Sequence, residues 1–198
     1  MKVDISVVGY PRVGNKRQYK WAVEKFWRSE INLEELVSKS DELISSNWDI
    51  QNNSGIKKVL IGDFSFYDQV LDTATHLGIP QKRFGYINHT DFDSYFKASR
   101  GGEVNGKNES PLELTKWFDT NYHYLVSEID WDLEFNPSAA RFSHEEELAS
   151  EKDLMVNPKI IGPTSFLTQC KEKELDQNKK DKILNAYLNL FTQLKEIG

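Results

Sequence analysis

Four short apolar runs, separated by amphipathic helical stretches, constrain this chain more than any other feature. Val3 to Val8 is β-branched and stops at Gly9, and Lys58 to Phe64 runs into a polar, aromatic tip. Asn121 to Ile129 alternates Tyr122, Tyr124 and Val126 with His123 and Leu125, and Pro158 to Leu167 contains Ile160-Ile161-Gly162-Pro163. Runs of this length and composition, bounded by glycine or proline, read as strands. Between them, Tyr19, Ala22, Val23, Phe26 and Trp27 recur at the spacing of one helix face. Asn32 with Glu35 forms a capping box for a helix carrying Leu36, Val37, Leu43, Ile44 and Trp48, which Gly55 closes. Tyr67, Val70, Leu71 and Ala74 make a third stripe, and Ile183, Leu184, Tyr187, Leu188, Phe191 and Leu194 make the last.

The stretches between these are less regular. A short helix is predicted from Asp91 to Ser99, and a loop from Arg100 to Gly106. Ser110-Pro111-Leu112-Glu113 has the cap, proline and acid of a helix start, predicting a helix through Leu114, Lys116 and Trp117. Ser143 and Glu146 predict another capped helix.

Strands alternating with helices predict parallel βαβ units, hence an α/β fold. A closed (β/α)8 barrel takes about 250 residues. With 198 residues and four strand–helix repeats, the chain is expected to be the first half of such a barrel, about four β/α units spanning 1–198. The alternative is a small open sheet with terminal helices. Half a barrel leaves apolar sheet uncovered, so the chain is expected to self-associate or to be marginally stable.

Composition narrows the function. The hydrophobic fraction of 38% beside 28% charge is that of a globular, soluble chain, and no apolar run approaches the roughly 20 residues of a membrane helix. Met1-Lys2-Val3-Asp4 opens no signal-peptide core, so the expected compartment is the cytoplasm. A formal net charge of −6 argues against nucleic acid and anionic membrane as partners. Yet Tyr10 to Arg28 holds six basic residues (Arg12, Lys16, Arg17, Lys20, Lys25, Arg28) against the single acid Glu24. Such a segment in an acidic chain suggests an anion site, unless its lysines simply line a solvated helix face.

Generic catalytic signatures are absent: no phosphate loop, dinucleotide fingerprint, zinc-binding His-Glu-x-x-His or nucleophile elbow. The single Cys170 and the histidines 76, 89, 123 and 144 lack metal-ligand spacing. In parallel α/β folds function gathers at the C-terminal ends of strands. Here those ends bring basic, aromatic and hydroxyl groups, which suit an aromatic ligand bearing carboxylates.

Four phrases carry a resemblance. Gly9-Tyr-Pro-Arg-Val-Gly14, Gly62-Asp-Phe-Ser-Phe-Tyr-Asp-Gln-Val-Leu71, Thr115-Lys-Trp-Phe-Asp-Thr-Asn-Tyr-His-Tyr124 and Gly162-Pro-Thr-Ser-Phe-Leu167 occur in order along nearly the whole chain. Together they resemble the N-terminal domain of cobalamin-independent methionine synthase. The resemblance implies methyl transfer from polyglutamylated 5-methyltetrahydrofolate to L-homocysteine, in an enzyme of two (β/α)8 barrels. It places a thiol-activating zinc in a C-terminal barrel, so the cofactor, the homocysteine pocket and all catalytic residues would lie outside this chain. It also places folate contacts on Lys16, Arg17, Gln18 and Tyr19, a further contact on Lys116, and a secondary candidate on Lys20. Where the family has Arg-Glu-Leu-Lys, this chain has Arg17-Gln18-Tyr19-Lys20, so Arg17, Lys20 and Lys116 keep the family's charge. Asp63, Asp119 and His123 fall in the same motifs without an assigned role. Two other readings use the same residues: a stand-alone module binding small anions, and a structural half-barrel without catalysis.

Overall fold

A computed structural model describes residues 5–87, 92–172 and 174–197. In chain order the elements are α1 (Gln18–Trp27), α2 (Leu33–Asn53), β1 (Lys58–Ile61), α3 (Gln69–His76), α4 (Phe92–Arg100), β2 (Gly102–Val104), β3 (Lys107–Glu109), β4 (Leu114–Lys116), β5 (His123–Leu125), α5 (Ala140–Ser150), β6 (Met155–Pro158), α6 (Pro163–Thr168) and α7 (Gln177–Leu194). The fold is α/β, divided into two compact units: residues 5–64 with 142–159, and residues 65–141 with 160–197.

The first unit is built on the parallel pair β1 and β6, in register from Lys58↔Met155 to Ile61↔Pro158. Val59 and Ile61 are fully buried, as are Leu36 of α2 and Phe142 of α5. Trp48 ties α2 to the sheet, its indole N–H donating to Leu60 O at 3.2 Å. The predicted box at the start of α2 is complete: Asn32 Oδ1 accepts from Glu35 N–H, and Glu35 Oε2 accepts from Asn32 N–H, both at 2.9 Å. Asn32→Ala is therefore expected to lower stability by about 1 kcal/mol, read from the urea midpoint. No change in midpoint would mean that the box is idle.

The second unit has an aromatic centre, with Phe66 edge-on to Phe92 at 4.4 Å and Tyr95 edge-on to Phe96 at 5.4 Å. Ile183, Tyr187 and Leu190 of α7 are buried in this unit, while Leu184, Leu188 and Phe191 face out. Arg83 acts as a clasp, its guanidinium meeting both carboxylate oxygens of Glu128 at 2.7 and 3.0 Å and Ser110 O.

Several predicted elements are corrected. Among the described residues the strands form three two-stranded sheets, and only β1 with β6 is parallel. Residues 5–8 of the predicted first strand are not a strand, with Ile5 62% and Val8 87% exposed; β-branched residues favour a strand only where a ladder partner and cover are present. The stretch predicted as a helix from Ser110 is strand β4, antiparallel to β5. Its neighbouring amides are spent on distant carbonyls: Leu112 N–H goes to Ala98 O and Trp117 N–H to Tyr122 O. The predicted third strand shrinks to β5 for the same reason. The predicted fourth strand, Pro158 to Leu167, meets the observed β6 only at Pro158, and Gly162-Pro163 instead opens α6 with proline in its first turn. α5 begins at Ala140, which leaves Ser143 inside the helix rather than capping it. The predicted loop 100–106 holds a hairpin of β2 and β3, turned by Asn105 and Gly106 at φ 51° and 76°. The predicted helix at Asp91 appears from Phe92, Asp91 itself lying outside the described residues.

Candidate functional site

The basic segment of the first unit leaves Gly9 as an irregular loop and enters α1 through an unusual cap. Arg17, the N-cap, sits in the left-handed region at φ 58°, and no side chain caps the helix. Arg17 N–H donates to Gly14 O at 3.0 Å, closing a turn that Gly14 permits with φ +79°. Gln18 folds back so that its Oε1 accepts from Lys16 N–H at 2.9 Å. Lys16, Arg17, Gln18 and Lys20 are exposed at this helix start. The Tyr19 N–H donates to Val13 O at 3.2 Å, and a helix start without a side-chain cap, next to two cations, makes a surface suited to an anion.

The other residues of the segment are partly engaged. Tyr19 is 2% exposed, edge-on to Phe64 at 5.0 Å and covered by the Arg12 guanidinium at 5.6 Å, so its ring is core. Lys20 pairs with Glu24 at 3.6 Å and lies over Trp21 at 5.0 Å. A cleft of about 540 Å³ between α1 and α2 is lined by Gln18, Trp21 and Lys25, but Glu34 and Glu35 offset its lysines. It does not extend the positive surface.

Lys116 belongs to the second unit. It ends β4, exposed, as the register partner of His123, whose Nδ1 lies 3.0 Å from Asn121 O. The tip between the strands is tightly made: Thr120 N–H and Oγ1 both donate to Trp117 O, Phe118 takes φ 48°, and Trp117 packs edge-on to Tyr124 at 5.6 Å. Tyr122 O–H reaches Asp68 Oδ2 at 3.3 Å. The structure thus brings Lys16, Arg17 and Gln18 together at one helix start, and sets Lys116 on a hairpin.

Asp68 escaped the reading of the sequence as a site residue, although an aspartate before an apolar stripe is an N-cap signal. Its Oδ1 accepts from Val70 and Leu71 N–H at 3.0 and 2.9 Å, capping α3. Burial pushes its pKa up to about 6, against the pull of those amides and of Tyr122. Asp63 also titrates above the ordinary carboxylate range through burial, opposed by Tyr10 N–H and Lys159. Burial pushes the Cys170 thiol up to about 12, which disfavours the nucleophilic thiolate, and the thiol donates to Phe166 O. Among the described residues, no group of three His, Cys, Asp or Glu side chains could hold a metal ion. No helix among them is long and apolar enough to cross a membrane.

Comparison with known proteins decides the family. The family model described as the cobalamin-independent synthase, N-terminal domain, matches residues 4–198. The chain belongs to that family. Among its relatives, a 5-methyltetrahydropteroyltriglutamate–homocysteine methyltransferase of Coxiella burnetii (strain CbuG_Q212) is 40% identical over 194 residues, covering 96% of this chain and 25% of the relative. Proteins of the same name from Neisseria meningitidis serogroup C (strain 053442) and Flavobacterium johnsoniae are 38% and 36% identical, each over 96% of this chain and 25% and 24% of their own lengths. The chain therefore spans about a quarter of the length of the curated relatives it matches. The match agrees with the resemblance carried by the four motifs.

Proposed function

We propose that this chain is the folate-holding N-terminal part of a cobalamin-independent methionine synthase, with methyl transfer to homocysteine completed by protein outside it. The family match over residues 4–198, with relatives named for methyltetrahydropteroyltriglutamate and homocysteine, carries this reading. The geometry adds a chemical reason. A triglutamate tail carries several carboxylates, and Lys16, Arg17 and Lys116 are exposed cations able to bind them, Arg17 in a bidentate way. Gln18 and Tyr19 complete the first set, Tyr19 with a buried ring and an N–H that donates to Val13 O at 3.2 Å, while Lys20 is secondary because Glu24 already holds it. Each exposed contact contributes only about 0.2–1 kcal/mol, so grip requires several together.

In this reading residues 1–198 are half of a (β/α)8 barrel, for which the parallel pairing of β1 with β6 speaks. The zinc that the family implies does not fit the residues present, since no cluster among the described residues could hold it. In this reading it belongs with a C-terminal barrel outside these residues. The compartment is the cytoplasm, and the chain alone turns over no substrate.

The test is a titration of the chain with the triglutamate and monoglutamate forms of 5-methyltetrahydrofolate. The triglutamate is expected to bind severalfold more tightly, with an advantage that shrinks as salt shortens the screening length below about 10 Å. The double variant Arg17→Ala, Lys116→Ala is expected to lose the preference. If it still discriminates as well as the parent, these cations are a solvated surface and the assignment fails.

A further inference from the structure

The C-terminal ends of the two parallel strands hold a carboxylate and an ammonium that the proposed ligand contacts leave unused. Asp63 follows β1 and Lys159 follows β6, with Lys159 N–H donating to Ile61 O at 2.8 Å. Both side chains are half-buried. Asp63 Oδ2 accepts the Tyr10 N–H at 3.1 Å, across 53 residues of sequence. A Cβ built on Gly9 would stand 3.3 Å from Lys159 Nζ and 3.7 Å from Asp63 Oδ2, so both charges border the same point of the backbone. One residue on, Asn47 Nδ2 reaches Pro11 O at 3.4 Å. From there the chain runs through Arg12 and the Gly14 turn to Lys16 and Arg17.

We propose that Asp63 and Lys159 are positioning residues: they latch the Gly9–Tyr10 backbone to the strand ends and so hold the basic loop in its binding shape. The ligand side of this inference rests on the folate reading above; the latch itself does not. A loop containing Gly9, Pro11 and Gly14 has little secondary structure of its own, and residues 5–8 before it are in no strand. Its Gly14 end is closed locally by Arg17 N–H, while Tyr10 and Pro11 are held by contacts reaching them from Asp63 and Asn47. A hydrogen bond from a backbone amide to an ionised carboxylate is among the stronger available, and half-burial shields it from water. Lys159 supplies the opposite charge that makes an ionised Asp63 tolerable there. A preformed loop saves a ligand the cost of ordering it, which is how a latch remote from the contacts changes affinity.

The loop carries its own reporters, because Arg12, Lys16 and Arg17 are trypsin sites. Asp63→Ala is expected to speed cleavage after Arg12 and Arg17 about tenfold, the population change from losing one charge-assisted hydrogen bond. Amide exchange at Tyr10 should accelerate in parallel, while cleavage along α7 stays as in the parent. Asp63→Asn keeps an acceptor for Tyr10 N–H and should restore most of the protection, which a general loss of stability would not allow. Lys159→Met, with Asp63 intact, should open the loop by a smaller factor, and serves if Asp63→Ala does not fold. Unchanged loop cleavage and unchanged Tyr10 exchange in Asp63→Ala, or in Lys159→Met should the first not fold, overturn the latch. A loop that opens in these variants, in a parent that shows no preference for triglutamate, upholds the latch and overturns the folate reading.

Discussion

Gly78→Ala is expected to remove more than about 4 kcal/mol of stability, an unusually large effect for adding one methyl group. Gly78 sits at φ +60° just past α3, a conformation that costs an L-residue about 1–2 kcal/mol. The rest of the loss is steric. A Cβ there would lie 1.9 Å from the carbonyl oxygen of Asn136 and 2.6 Å from its nitrogen, and backbone cannot swing aside as a side chain can. Asn136 is held in place by its own N–H, which donates to Gly78 O at 3.1 Å, and by Ser138 N–H on His76 O at 2.9 Å. Gly55 provides the control, since its φ of +86° is as unusual but nothing lies within 4 Å of the added carbon. Gly55→Ala should cost only the conformational part, about 1–2 kcal/mol. Urea midpoints of the two variants make the comparison, and equal losses would mean that the Asn136 segment does not cross Gly78.

A comparably large effect is expected from Asp68→Asn, with the opposite sign at neutral pH. Burial raises the Asp68 pKa from its ordinary 3.8 to about 6. In the unfolded chain the group loses its proton near 3.8, while in the folded chain it keeps it to about 6. The folded state thus binds more protons between these values, and stability must fall as pH rises through that window. The contribution is present in full below about pH 4 and lost above about pH 6, and it amounts to about 3 kcal/mol. Asparagine keeps an oxygen for the Val70 and Leu71 amides but carries no charge to desolvate. The variant should match the parent at pH 4 and exceed it by up to about 3 kcal/mol at pH 7. Asp68→Ala, which removes the cap, should instead be about 1 kcal/mol less stable than Asp68→Asn at either pH. Denaturant midpoints at the two pH values decide it, and a difference between asparagine and aspartate that does not grow with pH would refute the buried charge.

The same residue connects stability to the candidate site. Asp68 caps α3 with one oxygen and receives Tyr122 from the β4–β5 hairpin with the other. Lys116 is carried on that hairpin, and the latch at Asp63 does similar work for the basic loop of the first unit. In each unit a carboxylate that touches no proposed ligand group fixes the backbone that presents the cations.

What could be read from the residues was of short range. The box of Asn32 and Glu35, the helix α7 and the cluster of cations after Gly9 each depend on neighbours within a turn or two, and all three are present in the structure. Even so, α7 buries Ile183, Ala186, Tyr187 and Leu190 and leaves Leu184, Leu188 and Phe191 of the predicted stripe exposed. The Asn105-Gly106 hairpin was read only as a loop, although that pair tolerates the positive φ of a tight turn. The four motifs sufficed for the family. Tertiary structure decided the rest, since strand pairing and burial depend on partners far along the chain. Lys116 stands on a strand because Trp117 and Tyr122 pair their backbones, whatever the helix signal at Ser110 favours. Residues 5–8 stay out of any sheet although their side chains prefer one. Asp63 and Asp68 read as ordinary acids in an aromatic motif; only the amide of Tyr10, 53 residues away, and the hydroxyl of Tyr122, 54 residues away, make them the fixed points of two loops. A carboxylate's cost and use are set by what surrounds it, and that environment exists only once the chain has folded.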